Sequence, residues 1–233
     1  SNIKEELKLI DEMDALKAEV RKEELQLIQR QRLGEVEDIL DPKNRSVRHQ
    51  ELLAEYEKML KRQKDLIVKD EFDRVYTTAG GSGMNAGTSE DFTVYFINVP
   101  ANKLELWFWM ESDRLSSPVF REFYSERDVV REERRLRTES TPTGKFQEQF
   151  ESLFWQSSPY GWPVVGWPSD LDGITREEAK VYFDVNYAPN NLTSALVGDF
   201  EPKQAIELAK RYFGRLKRGP KEPEPVRTRE MKQ

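Results

Sequence analysis

The chain has 233 residues, enough for one large or two small domains with a packed core. It is 37% hydrophobic and 34% charged, with a net charge of −6 and bases spread among acids, which describes a strongly solvated globular chain and excludes a nucleic-acid footprint. With no cysteine and a single histidine, disulfides, thiolate ligands and cysteine nucleophiles are excluded, and a histidine-based site has only His49 to draw on.

No apolar run approaches the ~18 residues that span a membrane, and no signal-peptide pattern opens the sequence. Residues 1–69 read as a charged helical hairpin. Ile3, Leu7, Ile10, Met13, Leu16 and Val20 form a narrow stripe at steps of three and four, which weakens near Gln29 to Gly34. Asp41-Pro42 breaks the pattern, with Pro42 suited to the first turn of a second helix whose stripe is Leu52, Leu53, Tyr56, Met59, Leu60 and Ile67. The hairpin reads as an insertion packed on its own domain or as a partner-binding coil; the stripe is not a sustained heptad, which favours the first. His49, in the polar run DPKNRSVRHQ, reads as a solvated side chain near a helix start.

Residues 70–216 read as an α+β domain, an antiparallel sheet covered by helices. Asp70 caps a short helix that Gly80-Gly81-Ser82-Gly83 ends. Met84 to Thr88 is extended, and FTVYFINV from Phe92 is a strand. LELWFWMESDRL is a helix capped by Asn102, with Trp107 and Trp109 as core residues. Pro118 ends it and Ser125 caps the next one. A further helix starts at Thr143 or Gly144. The loop SSPYGWPVVGWPSDL packs down through Tyr160, Trp162 and Trp167. Thr175 to Glu178 is a capping box, Leu192 to Asp199 a strand, and Pro202 to Gly214 a helix. Residues 217–233, with Pro220, Pro223 and Pro225, read as a linker tail.

Glu126 and Glu133 stand seven positions apart, so at 100° per residue they return to within about 20° of one face. Val129 and Val130 between them suggest that this face points inward, and a buried carboxylate needs a partner or a metal. Glu132, Arg134, Arg135 and Arg137 offer ordinary solvated pairs. On spacing alone, a solvated charged helix remains the simpler reading.

Taken together, GMNAGTSEDFTVYFINVP, ERDVVREE, SPYGWPVVGWPSDLDGIT and YAPNNLTSALVGDFEP resemble, in order and spacing over roughly Glu71 to Gly214, the pitrilysin/insulinase family of zinc metallopeptidases. The resemblance implies an N-terminal, catalytic-type domain. An inverted His-x-x-Glu-His helix supplies two zinc ligands and the catalytic glutamate there, and a second helix adds a glutamate. It places that ligand at Glu133 and, at Glu126, the accompanying acid that orients a ligating histidine. Asn85 and Ala86 match the edge strand that holds substrate peptide in extended form. Tyr160 and Gly161 match a loop whose histidine is replaced here by Ser158, so no catalysis is assigned to it.

The sequence departs from the family in having no His-x-x-Glu-His. The expectation is therefore a fragment that begins just downstream of that motif and stops before the closing strand. Such a fragment supplies one ligand of three, binds no zinc alone and is inactive alone, although the intact protein uses zinc. Its partners are then a peptide or unfolded polypeptide and the rest of the same polypeptide or a homologous subunit, with no nucleic acid and no membrane span. The rival expectations are a non-catalytic scaffold or substrate-binding subunit, and a hairpin that docks a partner. The resemblance leans toward an extracytoplasmic bacterial setting.

Overall fold

A computed structural model describes residues 3–39 and 41–225; the last part of the proline-rich tail lies outside these. The chain divides into two compact units, Ser1–Glu71 and Phe72–Gln233.

The first unit is a helical hairpin. Helix α1 runs Ile3–Arg32 and buries Leu9, Ile10, Met13, Leu16, Val20 and Leu27, an apolar stripe that packs on α2, Val47–Leu66. The expected weakening near Gln29 does not end α1, which continues until Gly34 adopts φ 76. Pro42 opens a short 3-10 turn, Pro42–Asn44, rather than α2 itself. The cap of α2 is Ser46, whose hydroxyl accepts the His49 N–H at 2.9 Å. At the far end Arg62 reaches Glu5 at 2.6 Å.

His49 is buried, contrary to the solvated reading. The reason is periodicity: His49, Leu52 and Tyr56 recur at steps of three and four, so the ring shares the buried face of α2. Desolvation lowers its pKa below the ordinary value. A lowered folded-state pKa means that the unfolded chain takes up the proton first, so His49 favours folding at neutral pH and that contribution is lost as acid is added. The midpoint of thermal unfolding of the hairpin is expected to fall between about pH 7 and pH 5.5, before most carboxylates titrate. His49→Gln should flatten that slope; circular dichroism melts across this window check it.

In the second unit, α3 (Glu71–Thr78) leads into a hairpin of β1 (Ser82–Thr88) and β2 (Thr93–Asn98). Asp70 does not act as the usual extended cap, because its φ is 55. The strands pair antiparallel with Asn85 opposite Phe96, Ala86 opposite Tyr95 and Gly87 opposite Val94, and an irregularity lies between Ser82 and Asn85. Gly83 sits in that irregularity at φ 65, where a side chain would be strained and would crowd the Asn98 amide at 3.0 Å.

The core of this unit joins α4, Leu104–Ser116, to α9, Pro202–Tyr212, through Leu104, Phe108, Ala205 and Leu208, with Trp107, Leu196, Phe200 and Phe213 packed around them. Trp107 and Phe213 meet edge to face at 5.7 Å. Trp109, expected in the core, is 44% exposed, because it lies two positions from Trp107 and so on another side of the helix. Asn102 does not cap α4 with its side chain; a 3-10 turn, Ala101–Lys103, leads in instead.

Helix α5, Phe123–Arg134, starts two residues before Ser125, with Glu122 at φ 52, so Ser125 falls inside the first turn. A π-helical turn, Arg135–Glu139, follows. Thr141 then caps α6, Pro142–Phe154, which begins one or two residues ahead of the expected start at Thr143 or Gly144. The short α7, Pro168–Gly173, and α8, Arg176–Asn186, complete the unit, and the capping box at Thr175 and Glu178 forms as read.

The fold class is α+β. Among the described residues, however, the sheet has only two strands, and every residue of β1 is exposed, so the helical cover is partial. Leu192 to Asp199, expected as a strand, has no ladder partner among the described residues and is assigned no strand.

Candidate functional site

The edge of the hairpin is defined by hydrogen bonding. Its turn closes with Ser89 N–H donating to Phe92 O at 2.9 Å. Alternate antiparallel pairs exchange hydrogen bonds, so Gly87 with Val94 and Asn85 with Phe96 are the bonded pairs and Ala86 with Tyr95 is not. The Ala86 N–H therefore points away from β2, and β1 has no neighbour on that side among the described residues. The side-chain Oδ1 of Asn85 accepts that N–H at 2.8 Å. The far end of the hairpin is tied down where Tyr160 O–H donates to Asp91 Oδ2 at 2.9 Å, but Tyr160 and Trp162 are 40% and 56% exposed, so the aromatic loop does not pack down through them as read from the sequence.

On α5 the burial differs from the reading of the sequence. Val129 is 59% exposed and Glu126 is exposed, so their side of the helix faces out. The inward side carries Tyr124 and Arg134, with Arg127 and Val130 partly covered between them. Glu133 is intermediate: its side chain is 41% exposed and pairs with Arg137 one turn on, at 2.9 Å. It borders a cleft of about 250 Å³ with Arg137, Gln147, Glu148, Glu151 and Val164. Glu126 does not line this cleft, and among the described residues no hydrogen bond links either glutamate to Asn85 or Ala86.

The dominant interaction beside Glu133 is its neighbour Arg134, taken from the sequence as solvated but only 4% exposed. Its guanidinium grips Glu148 with two bonds of 2.6 and 2.9 Å, reaches Glu139 at 3.1 Å and donates to Gly166 O at 2.9 Å. The hydrogen bonds to Glu148, then the charges of Glu148 and Glu139, raise its pKa above the ordinary value against the cost of burial. Arg134 thereby fastens α5, the π-helical turn, α6 and the Gly166 loop. Gly144 completes the junction, because a side chain there would lie 2.5 Å from Arg137 O. The spacing of Tyr124, Arg127, Val130 and Arg134 at steps of three and four was the available signal for this buried face.

A larger apolar cavity, about 960 Å³, is walled by Tyr95, Arg114, Phe120, Ile174, Phe183 and Tyr187, and no motif pointed to it. Tyr95 and Tyr187 share a hydrogen bond of 2.7 Å, and burial first, then that bond, pushes the Tyr187 hydroxyl up to about 12.

The donor set decides what the described residues hold by themselves. No group of three histidine, aspartate or glutamate side chains lies close enough among the described residues to hold a metal, and the one histidine is in the other compact unit. Glu133 alone, paired with an arginine, does not fit zinc. No helix among the described residues is long and apolar enough to cross a membrane.

Comparison with known proteins identifies the context. The chain is 34% identical over 149 residues to the zinc protease PqqE of Helicobacter pylori, covering 63% of this chain and 33% of that protein. It is 25% identical over 156 residues to an uncharacterized zinc protease of Rickettsia felis, covering 66% of this chain and 36% of that one. A crystal structure of a protease from Helicobacter pylori superposes with TM-score 0.62 at 32% identity, over 67% of this chain and 38% of that chain. These similarities support a likeness to zinc peptidases of the pitrilysin/insulinase family over the shared stretch. The family model that matches is described as the Peptidase M16 inactive domain and covers residues 173–232, so Glu126 and Glu133 lie outside it. The matched stretch spans about a third of the length of these curated relatives.

Removing Arg134 takes two charge-assisted hydrogen bonds from Glu148, whose side chain is 18% exposed, a loss of about 2 kcal/mol. Arg134→Ala should lower the free energy of unfolding by that amount, whereas Arg135→Ala, whose Glu132 partner is exposed, should leave it essentially unchanged. Chemical denaturation of both variants checks the difference.

Proposed function

We propose that this chain is part of a zinc-dependent metalloendopeptidase that hydrolyses peptides held as an extended edge strand. The observation that carries the reading is the outward Ala86 N–H on the free side of β1. A peptide laid along β1 takes over that N–H from the Asn85 side chain and gains specificity from alternate side chains. Glu133, at the rim of its cleft, is the carboxylate this chain contributes to a zinc site. Glu126 orients a ligating histidine from outside the residues described. Arg137 yields Glu133 when that site is assembled. Because the described residues do not form a zinc site, the chain alone binds none and is inactive, and the histidines come from the rest of the same polypeptide or from a homologous subunit. Residues 1–69 are a helical insertion, and 70–216 are an incomplete peptidase-like domain.

A second reading is a non-catalytic, peptide-binding scaffold. It is favoured by the Glu133–Arg137 pair and by the inactive-domain description of the matching model.

The test is Glu133→Gln in the protein that carries the histidine motif, with zinc content and peptidase rate both measured. Zinc should be lost and the rate should fall by more than about 100-fold, beyond the 10–100-fold typical of an outer partner, which is the range expected for Glu126→Gln. Full zinc occupancy and an unchanged rate would remove the assignment of Glu133. A parent protein without zinc or activity would favour the scaffold.

A further inference from the structure

The short turn Pro159–Gly161 touches both halves of the candidate site. On one side, Gly161 lines the cleft of about 250 Å³ that Glu133 borders. On the other, Tyr160 O–H lies 2.9 and 3.1 Å from the two carboxylate oxygens of Asp91, in the turn between β1 and β2. The hydrogen bond to Asp91, then the Asp91 charge, raises the Tyr160 pKa above its ordinary value, so the hydroxyl is a donor at neutral pH.

The Pro159–Gly161 turn is itself seated on α6. The Ser158 hydroxyl accepts the Tyr160 N–H at 3.3 Å, and Gly161 is buried so closely that a side chain there would meet Trp155 O at 2.9 Å. The Tyr160 ring meets Trp155 edge to face at 5.6 Å. Trp155 stands at the end of α6, two turns beyond Glu148, and Glu148 is gripped by Arg134, the neighbour of Glu133. Contacts thus run without a break from Asp91 through Tyr160, Trp155 and α6 to α5. A second anchor holds the hairpin nearer its middle: Tyr95, opposite Ala86, shares its 2.7 Å hydrogen bond with Tyr187. Two anchors fix the direction of a strand, whereas one leaves it free to swing. Between the Ala86 pair and the turn the ladder runs about 10 Å, so a swing of about 6° displaces its end by about 1 Å. A displacement of that size at a reacting group costs on the order of 100-fold in rate.

We propose that Tyr160 is a positioning residue: through Asp91 it fixes the direction of β1 relative to Glu133, and with it the placement of a peptide laid along that strand. The role rests on the reading of Glu133 as a zinc ligand and of β1 as the peptide edge. Tyr160 acts through Asp91 and not on the peptide bond itself.

Tyr160→Phe keeps the ring against Trp155 and removes the O–H alone, and Asp91→Ala removes the acceptor; circular dichroism confirms that each variant is folded. In this chain each should speed amide hydrogen exchange at Gly87, Ser89 and Val94 about tenfold, as expected for the loss of one charge-assisted hydrogen bond. In the protein that carries the histidine motif, each should lower kcat about tenfold with KM and zinc content unchanged, and the double variant should be no slower than either single one. Unchanged exchange at the turn overturns the proposal, as do additive effects in the double variant or a raised KM at full kcat. A fall in rate that only follows lost zinc or lost folded protein, with kcat per bound zinc equal to that of the parent, marks a merely structural residue and overturns it too. A protein that holds zinc and is slowed by Glu133→Gln but not by Tyr160→Phe overturns this role alone. A parent with no zinc and no peptidase activity overturns the reading of Glu133 and this role together, and its own zinc content shows this before any variant is compared.

Discussion

The buried Arg134 guanidinium is the interaction on which the arrangement around Glu133 depends. A cation removed from water this completely is tolerated only when several acceptors replace the lost hydration. Here Glu148, Glu139 and Gly166 O supply them from three separate stretches of chain. Since α6 and the Gly166 loop have to converge on one point of α5, the side chain immediately before Arg134 is directed to the rim of the adjacent cleft. The π-helical turn at Arg135–Glu139 belongs to the same constraint: it brings the Glu139 carboxylate back to the guanidinium five residues earlier.

The other half of the candidate site, the edge of β1, rests on a different constraint. The hairpin turn sets the parity of the ladder, and parity alone turns the Ala86 N–H outward. The tether from Tyr160 to Asp91 holds the turn that sets this parity. In the proposed reading the two halves meet over a peptide whose backbone lies along β1 and whose hydrolysis requires donors that the described residues do not include. The likeness to zinc proteases and to the solved Helicobacter pylori structure supports that reading, and the matched relatives are about twice as long as this chain.

Much of the fold was legible because local signals are strong where propensity and tertiary packing agree. The Thr175 capping box, the Pro202 helix start and the FTVYFINV strand are of that kind. Signals failed where long-range packing decides. Arg134 carries the most polar of side chains, yet partners 5, 14 and 32 residues away bury it. His49 is surrounded in sequence by polar residues but lies on the helix face that meets α1. Leu192 to Asp199 has strand composition, but a strand also needs a neighbour, and composition says nothing of that. The two glutamates of α5 were read as an inward face from the valines between them, whereas Tyr124 and Arg134 mark the side that is buried.

In the proposed reading this chain contributes one carboxylate, Glu133, to a zinc site it does not complete. Equilibrium dialysis of the isolated chain against zinc at neutral pH, with bound metal counted per chain, tests it most directly. No stoichiometric binding is expected, and no change when Glu133 is replaced by Gln. One tightly held zinc per chain, lost on that replacement, would contradict it.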